Sequence, residues 1–353
     1  MAAPMLSAQE TSANKASAED AATYNLYFGD LHAHTALSDG VGTPWEAFQM
    51  AIDGGADFQA LTEHVQFWHA YDAWVMKADE WKELKEAADH FTSEDFVAIP
   101  GYETWMLANC GEVNVYNVSE LPPANNLGYR YDRLPNFYDW LAEQEGAVGQ
   151  FNHPLYVSDD FMDYAYYSEV RDVNMCAIEA YNWEYYDPSY QKALDAGWHL
   201  MPTANTDTHA GDWIVAHEMR SVLLAKELTA DALYDAMRNH RGYGTLDKNL
   251  RIEYTLDGAI MGSNLSAADG EYTAWIRISD PDGLEDEITL VEIVTDWGVV
   301  AASIPTSGDS VELTVELESE DSRYFYVRVT TVSPLNEEVE GVTAWTSPVW
   351  TGL

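Results

Sequence analysis

The sequence predicts an α/β region followed by an all-β region, on three observations. From Tyr27 to about Leu246, short apolar runs alternate with helical stretches, the rhythm of a parallel sheet and most simply of a barrel. After Asn249 no helical pattern intervenes among five short strands separated by turn residues, which suggests a β-sandwich. Five of the ten histidines fall where predicted strands end, the edge on which barrel sites are built. The expected divisions are 1–24 as a disordered lead-in, 25–249 as the α/β domain and 250–353 as the sandwich.

Each element has its own reason. Leu26–Leu31 reads as a strand running into a loop at His32. Pro44–Asp53 reads as a helix, with Thr43 at the N-cap, Pro44 in the first turn and Gly54-Gly55 ending it. Phe58–Thr62 is a second strand. Tyr71–Phe91 carries Trp74, Ala78, Trp81, Leu84 and Ala88 at helical spacing. Strands follow at Phe96–Gly101 and Val113–Val118, a helix at Asn136–Glu145, then strands at Ala147–Asn152, Cys176–Tyr181 and Leu200–Asn205. A helix from Thr229 to about Asn239 ends the α/β rhythm. Beyond it, Arg251–Leu256, Tyr272–Ile278, Glu287–Val294, Val311–Leu317 and Tyr324–Thr331 read as strands.

Composition excludes several classes. The 353 residues carry 60 Asp and Glu against 17 Lys and Arg, a formal charge of −43. A nucleic-acid surface needs a basic stripe to replace condensed counterions, and there is none. With 47% apolar and 13% aromatic residues the chain has material for a large core, so it is not a disordered acidic chain. No apolar run reaches the length of a membrane span. Seven lysines among so many carboxylates predict a salt-adapted surface whose self-repulsion salt relieves. Two cysteines, Cys110 and Cys176, make no disulfide framework, although they could pair. Residues 1–24 lack an apolar core and a basic start; they fit the remnant of a trimmed export signal, which favours a periplasmic or extracellular location.

The chemistry sits at the strand ends. In Gly29-Asp30-Leu31-His32-Ala33-His34-Thr35, residues two apart on an extended chain share a face, so His32 and His34 can aim two imidazoles at one point. Asp39-Gly40 follows. Thr62-Glu63-His64, Gly101-Tyr102-Glu103, Asn152-His153-Pro154 and Asp207-Thr208-His209 stand at four more strand ends. Mixed imidazole and carboxylate ligands suit Zn, Mn or Fe, and a carboxylate can bridge two cations. Such a cluster implies hydrolysis. No Gly-x-Ser-x-Gly elbow and no phosphate-cradling glycine loop is present.

These motifs, in this order, resemble the PHP (polymerase and histidinol phosphatase) superfamily. Within it the chain looks like the branch related to carbaryl hydrolase, supported by Gly111-Glu112-Val113-Asn114, Ile178-Glu179-Ala180-Tyr181-Asn182, the link Arg241–Asn249 and the closing Ala344-Trp345-Thr346-Ser347-Pro348. The resemblance implies a distorted seven-stranded (β/α) barrel followed by a C-terminal β-sandwich, and phosphoester hydrolysis with two or three divalent metal ions. It places one metal on His32, His34, Glu103 and Asp207, and a second on Asp39, His64 and His209. A third falls to Glu103 and His153, shared with Glu112. Glu103, His64 and Asp207 are the expected catalytic groups. Two positions depart from the family pattern: Glu63 stands for Asp, and Glu112 for His, which adds negative charge and favours a harder ion.

Around these motifs, Glu179 and Asn182 are expected either to line the pocket or to serve as buried hydrogen-bond partners. Trp45, Phe67, Trp68, Trp105, Trp183 and Trp213 are candidates for an apolar wall, with core packing the ordinary fate of any one of them. Lys248 and Arg220 are the nearest candidates to meet a substrate anion. The expected partner is a small ester. Rival readings are a carboxylic-ester or carbamate hydrolase on the same metals, and a non-catalytic metal- or carbohydrate-binding protein.

Overall fold

The computed structural model describes residues 23–65, 75–104, 110–122, 133–155, 160–266, 270–282, 286–332 and 341–352. In the first half β1 (Asn25–Asp30), α1 (Pro44–Asp53), β2 (Phe58–Val65), α2 (Ala78–Phe91), β3 (Val97–Thr104), β4 (Glu112–Tyr116), α3 (Arg133–Ala142), β5 (Val148–Asn152) and β6 (Met175–Asn182) follow one another. Next come β7 (Glu184–Tyr185), α4 (Asp187–Asp195), β8 (Met201–Ala204), β9 (Arg220–Ala225), α5 (Ala230–Arg238) and β10 (Gly242–Thr245). Thr43 caps α1 as its sequence implies, in a capping box with Glu46. Helix α2 buries Trp81, Leu84 and Ala88 at the expected spacing. Residues 71–74 of the longer helix expected there lie outside the described residues.

The sheet is mixed, not parallel throughout. β1, β2 and β3 run parallel, as do β5, β6 and β8, but β4 inserts antiparallel between β3 and β5. β9 runs antiparallel beside β1, and β10 antiparallel beside β9. After β8 the chain returns to the chain after β1 through one isolated parallel bridge, Ala33 with Thr208. Among the described residues no ladder joins β8 to β9 or β10. β8 and β10 nevertheless approach closely: a Cβ at Gly242 would lie 2.4 Å from Met201 Sδ, and one at Gly244 2.7 Å from the Thr203 backbone. Only glycine allows two strands this approach.

Strands β11 (Arg251–Leu256), β12 (Ala259–Ile260) and β13 (Glu271–Ser279) follow, then β14 (Glu287–Thr295), β15 (Val299–Pro305), β16 (Ser310–Glu318), β17 (Tyr324–Val332), β18 (Ala344–Thr346) and β19 (Val349–Trp350). β11, β12, β13 and β16 form a separate four-stranded sheet. The others extend the large sheet, because β18 pairs with both β17 and β10. Ile252, Tyr254, Ile276 and Ile278 of the small sheet share a buried core with Val291, Ile293, Phe325 and Val327 of the large one. On the opposite face Tyr324, Tyr326, Trp345 and Trp350 belong to the α/β core. No disulfide joins Cys110 and Cys176, two buried thiols.

Candidate metal centre

Backbone register assembles the site before any side chain acts. The segment 32–34 is held on both sides: Asp207 N–H donates to His32 O (2.8 Å), His34 N–H to Thr208 O (3.0 Å) and Thr62 N–H to Ala33 O (2.8 Å). His32 and His34 therefore point the same way, as alternation requires. The β2–β3 register sets His64 beside Glu103, and the β4–β5 register sets Glu112 beside Asn152, one residue before His153. Gly40 lets the 35–42 loop fold back on β1: a Cβ there would sit 2.8 Å from the His34 carbonyl carbon. That fold delivers Asp39.

All nine expected ligands converge, in three overlapping groups: His32, His34, Glu103 and Asp207; His34, Asp39, His64 and His209; and Glu103, Glu112 and His153. The second group contains His34 besides the three residues assigned to it above. In the first, His32 Nε2 and His34 Nε2 lie 3.2 Å apart. Glu103 Oε2 is 3.3 Å from each, and Asp207 Oδ1 is 3.2 and 3.1 Å from them. Four atoms at such spacings surround a point about 2 Å from each, the length of a zinc–imidazole or zinc–carboxylate bond. Glu103 Oε2 and Asp207 Oδ1 are buried with no hydrogen-bond donor of acceptable geometry. Buried oxygens facing imidazole nitrogens without satisfied hydrogen bonds are what a metal site looks like without its metal, so the residues fit the ions.

The other groups share members with the first. His64 Nδ1 stands 3.0 Å from Glu103 Oε2, and its Nε2 3.8 Å from Asp39 Oδ1. His209 Nδ1–H donates to the Asp207 carbonyl (2.9 Å), which turns Nε2 to within 3.2 Å of Asp39 Oδ1. His153 Nε2 is 3.3 Å from both Glu103 Oε1 and Glu112 Oε2. Glu103 thus gives one oxygen to each side, the arrangement of a bridging carboxylate.

Electrostatics follow from this crowding. Burial opposes charge on His32 and His34. The carboxylates of Asp207, Glu103 and Glu179 overcome it at His32, which is held well above its usual value. At His34, too, the facing carboxylates of Asp207 and Glu103 outweigh burial and push it up to about 10. Burial likewise opposes charge on Glu103, which the imidazoles of His32 and His64 nevertheless hold well below the carboxylate range. His153 rises for the same reason, against burial, beside Glu103 and Glu112.

A ring of buried polar groups orients these ligands, and only part of it is foreseeable. Glu179 is a buried partner rather than a pocket lining. Its Oε1 meets His32 Nδ1 at 2.9 Å, while Oε2 accepts from His153 N–H (2.6 Å) and Asn182 Nδ2 (3.0 Å). Holding the far ring nitrogen fixes which nitrogen faces the metal. Asn205 donates to Glu179 Oε1 (3.0 Å) and accepts from Leu31 N–H. Asp30 accepts from His32 N–H and from Thr206 Oγ1. Glu63 does not enter a ligand group; its longer side chain accepts from Thr35 N–H (2.9 Å), Thr35 Oγ1 and Ser38 Oγ, tying down the loop that carries Asp39. Asp207 and His153 adopt positive φ, +47° and +25°. Non-glycine backbone of this kind concentrates at functional sites.

The peripheral expectations divide. Trp213 is core, donating to the His34 carbonyl (2.9 Å). Trp183 remains half exposed, anchored by its indole N–H to the Thr206 carbonyl. Trp45 lies beside His90 and Phe91. Phe67, Trp68 and Trp105 lie outside the described residues. Neither expected cation pairs with a member of the ligand groups: Arg220 is buried and spends its guanidinium on the carbonyls of Ile214, His217 and Met219, and Lys248 pairs with Glu218 and Asp282.

No family model matches the chain, and no curated protein matches it. Solved structures do. A two-domain protein from Bacteroides vulgatus, described as containing a predicted PHP-like metal-dependent phosphoesterase, is 16% identical over 99% of this chain and 100% of its own, with a TM-score of 0.49. PsfC from Pseudomonas syringae is 18% identical over 60% of this chain and 87% of its own, with a TM-score of 0.41. A candidate metal-dependent phosphoesterase from Bifidobacterium adolescentis is 14% identical over 52% and 87%, with a TM-score of 0.31.

Proposed function

We propose that this protein is a metal-dependent phosphoesterase of PHP type, with residues 25–249 as a distorted seven-stranded barrel and 250–353 as a β-sandwich. The observation that carries the reading is Glu103, whose two oxygens face two ligand groups that between them gather His32, His34, Asp207, Glu112 and His153. His32, His34, Glu103 and Asp207 hold one ion; Asp39, His64 and His209, with His34 beside them, a second; Glu103, Glu112 and His153 a third. Divalent ions there supply a water of lowered pKa and neutralise charge on the ester oxygens.

The chain's own groups do the rest. Glu179 and Asn205 keep the His32 ring fixed. His64, between Glu103 and Asp39, ties the first ligand group to the second. Asp39 and His209 form the open rim, where a leaving group departs. Trp183, half exposed and anchored to the carbonyl of Thr206, the residue before Asp207, is the candidate apolar wall.

One observation favours a second reading on the same site. With Arg220 and Lys248 both engaged, no cationic side chain among the described candidates faces the substrate. A doubly charged monoester is then the least suited ligand, and a diester, a carboxylic ester or a carbamate is better matched. Assays of metal-loaded protein on p-nitrophenyl phosphate, bis-p-nitrophenyl phosphate and naphthyl esters decide. Preferred turnover of the diester supports the proposal, a preference for naphthyl esters supports the second reading, and no turnover of any of them refutes both. We assign the acidic surface to a salt-adapted, exported protein.

A further inference from the structure

We propose that Asp247, Asp280 and Asp286 form a separate site for a hard divalent cation of the calcium type, where the chain leaves β10 and meets the β13–β14 turn. This is independent of the hydrolase reading. All three side chains are more than nine-tenths buried, and one oxygen from each lies within 4.8 Å of the others. Asp247 Oδ1 accepts from Asn249 N–H (2.7 Å) and Leu250 N–H (2.9 Å), and Asp280 Oδ1 from Asp282 N–H (2.8 Å), so both carboxylates are rigidly placed.

Asp280 Oδ2, however, is buried and reached by no donor. Its carboxylate lies against that of Asp247, which has no proton to offer when ionised. A buried anion needs a counter-charge. Among the described residues no Lys, Arg or His forms an ion pair with any of the three: Lys248 is taken by Asp282 (3.0 Å) and Glu218 (3.4 Å), and Arg220 by backbone carbonyls. A cation satisfies all three at once.

The donor set chooses its class. Oxygen ligands without imidazole or thiolate select Ca²⁺ or Mg²⁺ over zinc. Calcium accepts irregular oxygen shells that include backbone carbonyls and water, whereas magnesium demands a near-ideal octahedron, so three aspartates from separate segments fit calcium better. Asp247 belongs to the link, Asp280 follows a strand of the small sheet and Asp286 precedes one of the large sheet. An ion there ties the link to both sheets.

The test is thermal melting of chelator-stripped protein with and without CaCl₂. Wild type should melt about 3–4 °C higher at a hundredfold excess over Kd. The double variant His32→Ala/His34→Ala should keep that rise, which assigns it away from the histidine centre. Asp280→Asn and Asp286→Asn should lose it. In chelator Asp280→Asn should melt above wild type, because a repulsion is removed, and calcium should reverse that order. A calcium-dependent rise that survives both Asp variants, or Asp280→Asn melting above wild type with calcium present, overturns the site. So does the absence of any shift and of any heat of calcium binding in wild type, a measurement that needs no variant.

Discussion

Two clusters of buried acid among the described residues differ in one respect. At the strand ends, Glu103 and Asp207 face imidazoles 3.0–3.3 Å away. At the link, Asp247, Asp280 and Asp286 face one another and backbone N–H groups, with no imidazole in the group. A base in the cluster can carry a proton where a cation would sit, so the first site has a counter-charge of its own. The second has no base, and its only relief is to keep an acid proton. Burial and then the charge of Asp247 push Asp280 up to about 7. Mixed ligands therefore make a site that waits for its metal, and carboxylates alone make one that strains without it.

The largest effect that separates the two is on turnover. His32→Ala/His34→Ala and, separately, Glu103→Gln should lower ester hydrolysis by more than about 100-fold, because each removes ligands outright. Asp280→Asn should leave turnover within about twofold. Steady-state rates at saturating metal, together with metal content by mass spectrometry, check both. If Asp280→Asn fell as far as Glu103→Gln, the two clusters would not be separate.

Glu179→Gln comes next. It touches no expected metal position but holds the ring of His32 and the backbone of His153. Loss of such an outer partner costs about 10–100-fold in metal affinity or activity. Because only orientation is lost, excess metal should recover part of the rate. A loss that no metal concentration relieves would place Glu179 in contact with substrate instead.

In stripped protein the two clusters titrate in different windows. His34 takes its proton more tightly when folded, near 10 against an ordinary 6.5. The stability this supplies is complete below pH 6.5 and is lost as pH rises toward 10. Asp280 keeps a proton to about 7 that the unfolded chain releases near 3.8, so its penalty grows as pH rises across that interval. Melting curves of wild type, His34→Ala and Asp280→Asn between pH 4 and 10, in chelator, should show each variant flattening its own window only. A common response of both variants across the whole range would mean one coupled network.

How much of this was legible depends on distance along the chain. His32 and His34 are readable because alternation acts over two residues. Helix α1 is readable because its cap, Thr43 to Glu46, is local. The meeting of His64 with Glu103, or of Glu112 with Asn152, is a matter of strand register, and only the family resemblance pointed to it. Asn205 and Asp30 were missed because a buried asparagine or aspartate carries no periodic signal. β9 has no alternation, since all six residues are buried, and β10 contains two glycines that disfavour strand. Helix α4 went unnoticed among the acidic and aromatic residues that flank it. The aspartate cluster had no chance of detection: three acids among 60 become a site only when turns more than thirty residues apart are brought together.

The smallest effect concerns Glu112, where the sequence departs from its family resemblance and where the two clusters come closest in kind. With Glu112 and Glu103 on either side of His153, this is the most carboxylate-rich of the three ligand groups. Glu112→His would add an imidazole and remove one negative charge, shifting the group toward softer ions. Relative activity with zinc over manganese should then rise a few-fold, with the fold and the first ligand group unchanged. The comparison has a clean internal control. Added imidazole should make the third group more tolerant of metal removal, as it already is at His32 and His34, and should leave the calcium response of Asp280 where it was. If zinc and manganese support the variant and wild type in the same ratio, Glu112 does not bear on metal choice, and the third group is a brace for Glu103 rather than a seat for an ion.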